Sequence, residues 1–149
     1  MAKKEKVKEE SKQKEKKVKV ITVSGRRKTA IAKATIKEGN GGIRINKFPI
    51  SHLPFLRRLM IEEPIRISQQ FVPTNFEIIV NVRGGGVESQ IEASRLAIAR
   101  AILAFAKLPE LKRAFQQYDR TMLVADTRHK EQRKPNDSRA RAARQKSYR

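Results

Sequence analysis

Side chains large enough to build a core stop at about residue 125, and the chain beyond is basic. The last twelve residues, Ser138 to Arg149, hold five Lys or Arg, one Tyr and no acid. Such a segment cannot offset the entropy of its own ordering until an anion neutralises it. The start is equally poor in apolar residues: residues 1–17 mix Lys and Glu, as in Lys3-Lys4-Glu5-Lys6, and read as a disordered extension. One folded domain over residues 18–125, followed by an extended basic tail over 126–149, is the organisation that 149 residues can support.

Across the whole chain, 35 Lys and Arg face 15 Asp and Glu, a formal charge of +20. The excess is +5 over residues 1–19, +9 over 20–125 and +6 over 126–149, so the domain is itself basic. A polyanion is the implied partner. With no cysteine and two well-separated histidines, His52 and His129, neither a disulfide framework nor a metal site is expected, and no cofactor. No apolar run approaches the length of a membrane span, so a soluble, cytoplasmic protein without membrane contact is expected.

Within the domain, Val18–Val23 alternates and reads as a strand covered on both faces, broken by Ser24-Gly25. Thr29–Lys37 alternates Ile31, Lys33, Thr35 and Lys37 against Ala30, Ala32, Ala34 and Ile36, and enters Gly39-Asn40-Gly41-Gly42. Ile43-Arg44-Ile45 then reads as the returning strand of a hairpin. Ser51 is positioned to cap a helix with Leu53, Leu56, Leu59 and Met60 as its apolar stripe, lying on the sheet and ending near Pro64. Phe76–Val82 is the strongest strand, β-branched and nearly all apolar, as suits a central position.

A long helix is expected from the glycine run to about Lys107. It carries Ile91, Ile98, Ile102 and Phe105 on one line and Ala93, Ala97, Ala101 and Ala104 on a neighbouring one, where close packing is possible. Pro109 opens a last helix containing Leu111, Phe115 and Tyr118. The fold class is α+β: a sheet of about four strands with helices on it.

A glycine run between strand and helix can cradle phosphate. Gly84-Gly85-Gly86, however, lacks the Lys-Ser or Lys-Thr of the P-loop and the dinucleotide spacing. It is a tight turn, or a backbone RNA-phosphate contact helped by Arg83. No acid–base pair or nucleophile with an oriented partner stands out, so the chain is not read as an enzyme. The basic clusters are informative: Arg26-Arg27-Lys28 in the first inter-strand link, then Arg128, Lys130, Arg133 and Lys134 before a bend at Pro135-Asn136-Asp137. Beyond it, Arg139, Arg141, Arg144 and Lys146 can present charge on several sides, as insertion among phosphates requires. Tyr148 adds a ring for stacking and Arg149 a guanidinium. RNA is the favoured ligand, and a basic DNA-binding or chromatin protein is the alternative.

Three motifs carry a resemblance. Gly84-Gly85-Gly86-Val-Glu-Ser89-Gln90-Ile-Glu-Ala93, running on through Ala97, Ala99 and Arg100-Ala101-Ile102, resembles the signature of the universal ninth small-subunit ribosomal protein family. Gly25-Arg26-Arg27-Lys28-Thr29-Ala30 and Gln145-Lys146-Ser147-Tyr148-Arg149 are similar to its archaeal and eukaryotic type. The resemblance covers about Val20 to Arg149. It implies a four-stranded sheet with helices on one face and an unusual left-handed crossover, and a structural role in translation. The domain would bind ribosomal RNA in the head of the small subunit, beside other head proteins. Arg139, Arg141 and Arg144 would brace that RNA, while Lys146, Tyr148 and Arg149 reach the anticodon stem-loop of the peptidyl-site tRNA. Many relatives carry glycines before the arginine-rich end, where this chain has Lys134-Pro-Asn-Asp-Ser138.

Overall fold

A computed structural model describes residues 19–39, 41–73, 75–135, 139–142, 145 and 147. The expectations for residues 1–18, the bend at 136–138, and Arg144, Lys146, Tyr148 and Arg149 lie outside these. Five strands form one sheet in the order β1-β2-β5-β3-β4: β1 Ile21–Arg27, β2 Ala30–Glu38, β3 Ile43–Ile45, β4 Phe48–Pro49 and β5 Phe76–Arg83. Three helices accompany it: α1 Phe55–Ser68, α2 Val87–Ala106 and α3 Pro109–Tyr118. The α+β class is as expected, with a two-residue edge strand added.

The alternation in β2 sets the layers. Ala30, Ala32, Ala34 and Ile36 are fully buried, as are Ile78 and Val80 of β5, with Phe76 and Val82 nearly so. These side chains, small or β-branched except for Phe76, make the floor on which α2 lies. Nine residues around α2 are buried, among them Ile91, Ala97, Ile98 and Ile102. A helix apolar on so many sides must be covered on more than one. The sheet covers one side, and α1, α3 and the 3₁₀ turn Arg120–Met122 cover the others. Leu111 and Phe115 anchor α3 with no exposed surface, each worth about 1.5–3 kcal/mol of burial. Tyr118, expected on that stripe, is exposed.

Three local expectations are corrected. Ser24-Gly25 does not break β1, which pairs antiparallel with β2 through Gly25↔Ala32 to Arg27↔Ala30. Gly25 is needed for approach: a Cβ there would lie 2.4 Å from the Ala93 carbonyl oxygen and 2.8 Å from the Ala97 nitrogen of α2. Nor is β1 covered on both faces, since Thr22 and Ser24 are exposed. Second, Ile43–Ile45 is not the partner of β2. The antiparallel β5 takes that edge, and β3 pairs parallel with β5 through Ile43↔Ile78 and Ile45↔Val80. The eight-residue β5 offers β2 a longer ladder than a three-residue return strand can, and α1 becomes the crossover between β3 and β5.

Third, Ser51 falls in the 3₁₀ turn Ile50–His52, and α1 starts after Pro54. The helix runs through Pro64 to Ser68 with Ile61, Pro64 and Ser68 buried, while Leu56 of the expected stripe is exposed. Its main neighbour is α2 rather than the sheet; Arg57 Nη2 reaches Glu88 Oε1 at 2.8 Å.

Candidate nucleic-acid interface

The cationic motifs of the domain gather at one end of the sheet. The turn Lys28-Thr29 joins β1 to β2 there, and β5 finishes beside it in Arg83-Gly84-Gly85-Gly86. Contact is close: a Cβ on Gly84 would sit 2.7 Å from the Thr29 carbonyl oxygen, and one on Gly85 2.9 Å from the Ala30 Cβ. Both glycines have positive φ, 74° and 68°, so they are turn-forming residues first. Gly86 differs. Its surroundings are open to 4 Å, its φ is −94°, and it caps α2 through Gln90 N–H donating to its carbonyl. It leaves backbone accessible at the positive end of a twenty-residue helix.

Strand parity divides the triplet Arg26-Arg27-Lys28. Arg26 is exposed on the open face of β1, its Nε donating to the Lys28 carbonyl at 3.2 Å. Arg27 points the other way, is half-buried, and is held by the carboxylates of Glu92 on α2 and Asp126. Lys28 sits in the left-handed region at φ 51°, exposed. Among the described residues no carboxylate lies within ion-pair distance of Arg26, Lys28 or Arg83.

The base of the tail is fixed at the same end. Asp126 accepts from the Arg128 backbone N–H at 2.9 Å and from its guanidinium Nη2 at 2.9 Å, while also holding Arg27. The Arg128 side chain and backbone, then Arg27, pull the Asp126 carboxyl far below the usual range. Arg100 of α2 adds a second tie, donating from Nε to the Leu123 carbonyl at 2.8 Å and from Nη1 to the Ser24 carbonyl at 3.0 Å. One guanidinium thus joins β1, α2 and the chain leading to the tail. A third junction holds Arg95 between Glu63 of α1 at 2.6 Å and Asp119 at 3.0 Å. Burial works to raise the Asp119 carboxyl, yet the Thr121 hydroxyl and backbone N–H and Arg95 outweigh it and keep it low.

Past Arg128, Lys130, Arg133 and Lys134 are exposed on chain without regular structure. Arg139 is exposed as well, and Arg141 pairs with Glu131, Nε to Oε2 at 2.9 Å. Sequence reasoning missed Lys33 and Lys47 as site residues. With Thr29, Asn81 and Arg83 they line a shallow depression beside Gly84. Lys33 could have been found from the outward half of the β2 alternation; Lys47, in the β3–β4 turn at φ 74°, carries no such signal. Among the described residues no group of three or more His, Asp or Glu could hold a metal, and no helix is long and apolar enough to cross a membrane.

Comparison with known proteins gives the family of the chain. The family described as "Ribosomal protein S9/S16" matches residues 25–149. Small ribosomal subunit protein uS9 of Methanococcus maripaludis strain C7 is 44% identical over 135 residues, covering 89% of this chain and 100% of the relative. Its counterpart from strain S2 of the same archaeon matches with the same identity and coverage. A match that begins at Gly25, where β1 meets α2, and runs through the glycine turn to the last arginine takes in all the clustered cations of domain and tail, and the chain belongs to the ribosomal protein S9/S16 family, in its archaeal and eukaryotic type.

Proposed function

We propose that the domain binds ribosomal RNA in the head of the small subunit through the end of the sheet where its cations gather, and that the tail continues through RNA to the peptidyl-site tRNA. Membership of the family makes the chain a structural constituent of the ribosome, acting in translation. The observation that supports the RNA contact is the convergence of three motifs distant in sequence: Arg26 and Lys28, Arg83 to Gly86, and the Arg27–Asp126–Arg128 clamp. The clamp gives the tail a fixed origin, so Lys130, Arg133 and Lys134 leave the domain beside the same RNA. Arg139, Arg141 and Arg144 brace RNA further along. Lys146, Tyr148 and Arg149 form the tip that meets the tRNA anticodon stem-loop, a role implied by the matching positions of the family. Neighbouring head proteins complete the setting.

Two experiments test this reading. Full-length protein should copurify with small-subunit RNA and outbind random duplex DNA in competition, with affinity falling steeply as salt rises, roughly 0.7–0.9 in log–log slope per phosphate contact. Equal affinity for DNA would favour a general polyanion binder. Deleting Lys146 to Arg149 should leave subunit assembly intact and weaken tRNA retention in the peptidyl site. Truncated subunits that hold tRNA as well as intact ones would remove the tip's role.

A further inference from the structure

Among the described residues, the sheet has one face covered by helices and one left open. In register across β1, β2 and β5, the open face carries Arg26, Ile31 and Arg83 in one row, Ser24, Lys33 and Asn81 in the next, and Thr22, Thr35 and Ile79 in the third. Arg26, Lys33, Asn81, Arg83, Thr22 and Ser24 are all exposed, and Ile31 is 48% exposed. Strands lie about 4.8 Å apart, so Arg26 and Arg83 stand roughly 10 Å apart with Lys33 one row on. Lys47 lies beside Lys33 and Arg83 in the same depression. The acid on this face among the described residues, Glu77, is at the far end and is neutralised by Lys37 at 3.0 Å, with Arg44 at 4.0 Å. Nothing there repels an anion.

The chemistry of the face also restricts the form of RNA. Sheets that bind single-stranded RNA do so by stacking splayed bases on aromatic rings, and no aromatic side chain stands in these three rows. Cations are interspersed with hydroxyls and an amide. These are the groups that meet the phosphates and 2′-hydroxyls displayed across the wide, shallow minor groove of A-form RNA. The Thr22 and Thr35 hydroxyls are hydrogen-bonded to each other at 3.1 Å, and either can turn to a sugar hydroxyl at little cost.

We propose that the open face of β1, β2 and β5, centred on Lys33, Asn81 and Arg83 with Lys47 at its edge, is a docking surface for double-helical RNA, read by backbone and 2′-hydroxyl rather than by base. This rests on the ribosomal RNA reading above and deepens it by assigning the surface and the form of RNA.

The test uses the full chain, a blunt RNA hairpin of about two helical turns, a DNA duplex of the same sequence and an unstructured single-stranded RNA, each titrated over a range of salt. Lys33→Ala/Lys47→Ala/Arg83→Ala removes only exposed cations, so its melting curve should match the parent. On the RNA hairpin it should lose at least tenfold in affinity and roughly 2 to 3 in log–log slope, about 0.9 per contact, with a smaller loss on single-stranded RNA. Asn81→Leu should reduce the preference for RNA over DNA duplex while leaving the salt slope unchanged. As a control, Arg133→Ala/Lys134→Ala should lower slope on both RNA probes alike. If the triple variant binds the hairpin like the parent while the parent still selects small-subunit RNA, the sheet-face assignment is overturned and the ribosomal RNA reading survives. Equal losses on single strand and hairpin overturn the duplex assignment. A parent that fails to select small-subunit RNA overturns the broader reading instead.

Discussion

Replacing Gly25 with alanine tests the contact on which the domain is assembled. The added Cβ would lie 2.4 Å from the Ala93 oxygen, 2.8 Å from the Ala97 nitrogen and 3.1 Å from the Ala97 Cβ. A carbon and a carbonyl oxygen normally stay about 3.3 Å or more apart, so β1 and α2 must separate by close to 1 Å. The two nearest atoms are backbone, so no rotamer change relieves the clash. The strand cannot simply slide outward either, because it is laddered to β2 from Ile21 to Arg27 and tied by Arg100 to the Ser24 carbonyl. Overpacking a core costs typically 1–3 kcal/mol, and this site belongs at the upper end. Alanine recovers roughly 0.4–1 kcal/mol through the unfolded chain, which leaves a net loss of about 2–2.5 kcal/mol.

For a domain of this size each kcal/mol moves Tm by roughly 4 °C, so Gly25→Ala should melt about 10 °C lower. Its urea midpoint should fall by about 1 M or more at an unchanged slope. Melts are run without RNA, since a ligand of the native state would mask the loss. Gly86→Ser is the control: its site is open to 4 Å and it adds a capping hydroxyl to α2, so its Tm should hold or rise slightly. Adding Ala97→Gly to Gly25→Ala should restore little, since it removes only the 3.1 Å contact. A Gly25→Ala protein melting within about 2 °C of the parent would refute the close packing of β1 on α2.

Particular residues support three further outcomes. Lys107 ends α2 in the left-handed region at φ 55°; Lys107→Gly should stabilise by about 0.5–1 kcal/mol, read as a rise of a few degrees in Tm. Hydrogen bonding from Arg58, with Arg66, holds the Glu62 carboxyl low, and those of Asp119 and Asp126 are also low. Folded values below unfolded ones mean stability that is complete above about pH 5 and is lost as pH falls through the folded values. Tm should therefore be flat from neutrality to about pH 5 and drop below about pH 4, more shallowly in Glu62→Gln/Asp119→Asn. Asp126→Asn weakens the clamp on Arg27 and Arg128, so trypsin should cut after Arg128 and Lys130 faster than in the parent while the domain fragment survives.

Elements whose signal is local were readable from sequence. The β2 alternation, the apolar run of β5, the length of α2 and Pro109 at the start of α3 each follow from side chains within one element. What could not be read depends on which element comes to lie beside another. The loop around Gly39 and Gly41 has the composition of a hairpin turn whether the next strand returns to β2 or steps aside for β5. Gly25 has the same letter as a strand breaker and as a contact point for α2. Arg26 and Arg27 were indistinguishable as a basic pair for the same reason. Once Gly25 is read as continuing β1, period-two alternation sends one guanidinium to the open face and the other to Glu92. The site was therefore legible as composition and position, and its division into outward and inward cations was not.

That division explains how a domain with an excess charge of +9 over residues 20–125 folds at all. Half of its eight acids are placed where helices meet the sheet or one another: Glu92 joins β1 to α2, Glu88 joins α2 to α1, and Glu63 and Asp119 flank Arg95 between α1, α2 and the final turn. Asp126 closes the tail onto β1. Every cation in these junctions is arginine, whose planar fork can bond two partners at once. The lysines at 28, 33 and 47 are left outside any ion pair among the described residues, where a flexible point charge suits contact with phosphate. Internal carboxylates thus cancel arginine charge where it would drive elements apart, while among the described residues of the domain Arg26, Lys28, Lys33, Lys47 and Arg83 stay uncancelled around one end of the sheet and Lys107, Lys112, Arg113 and Arg120 on the helical side. Neutralising more of the surface would stabilise the isolated domain against self-repulsion and weaken its hold on RNA by the same change.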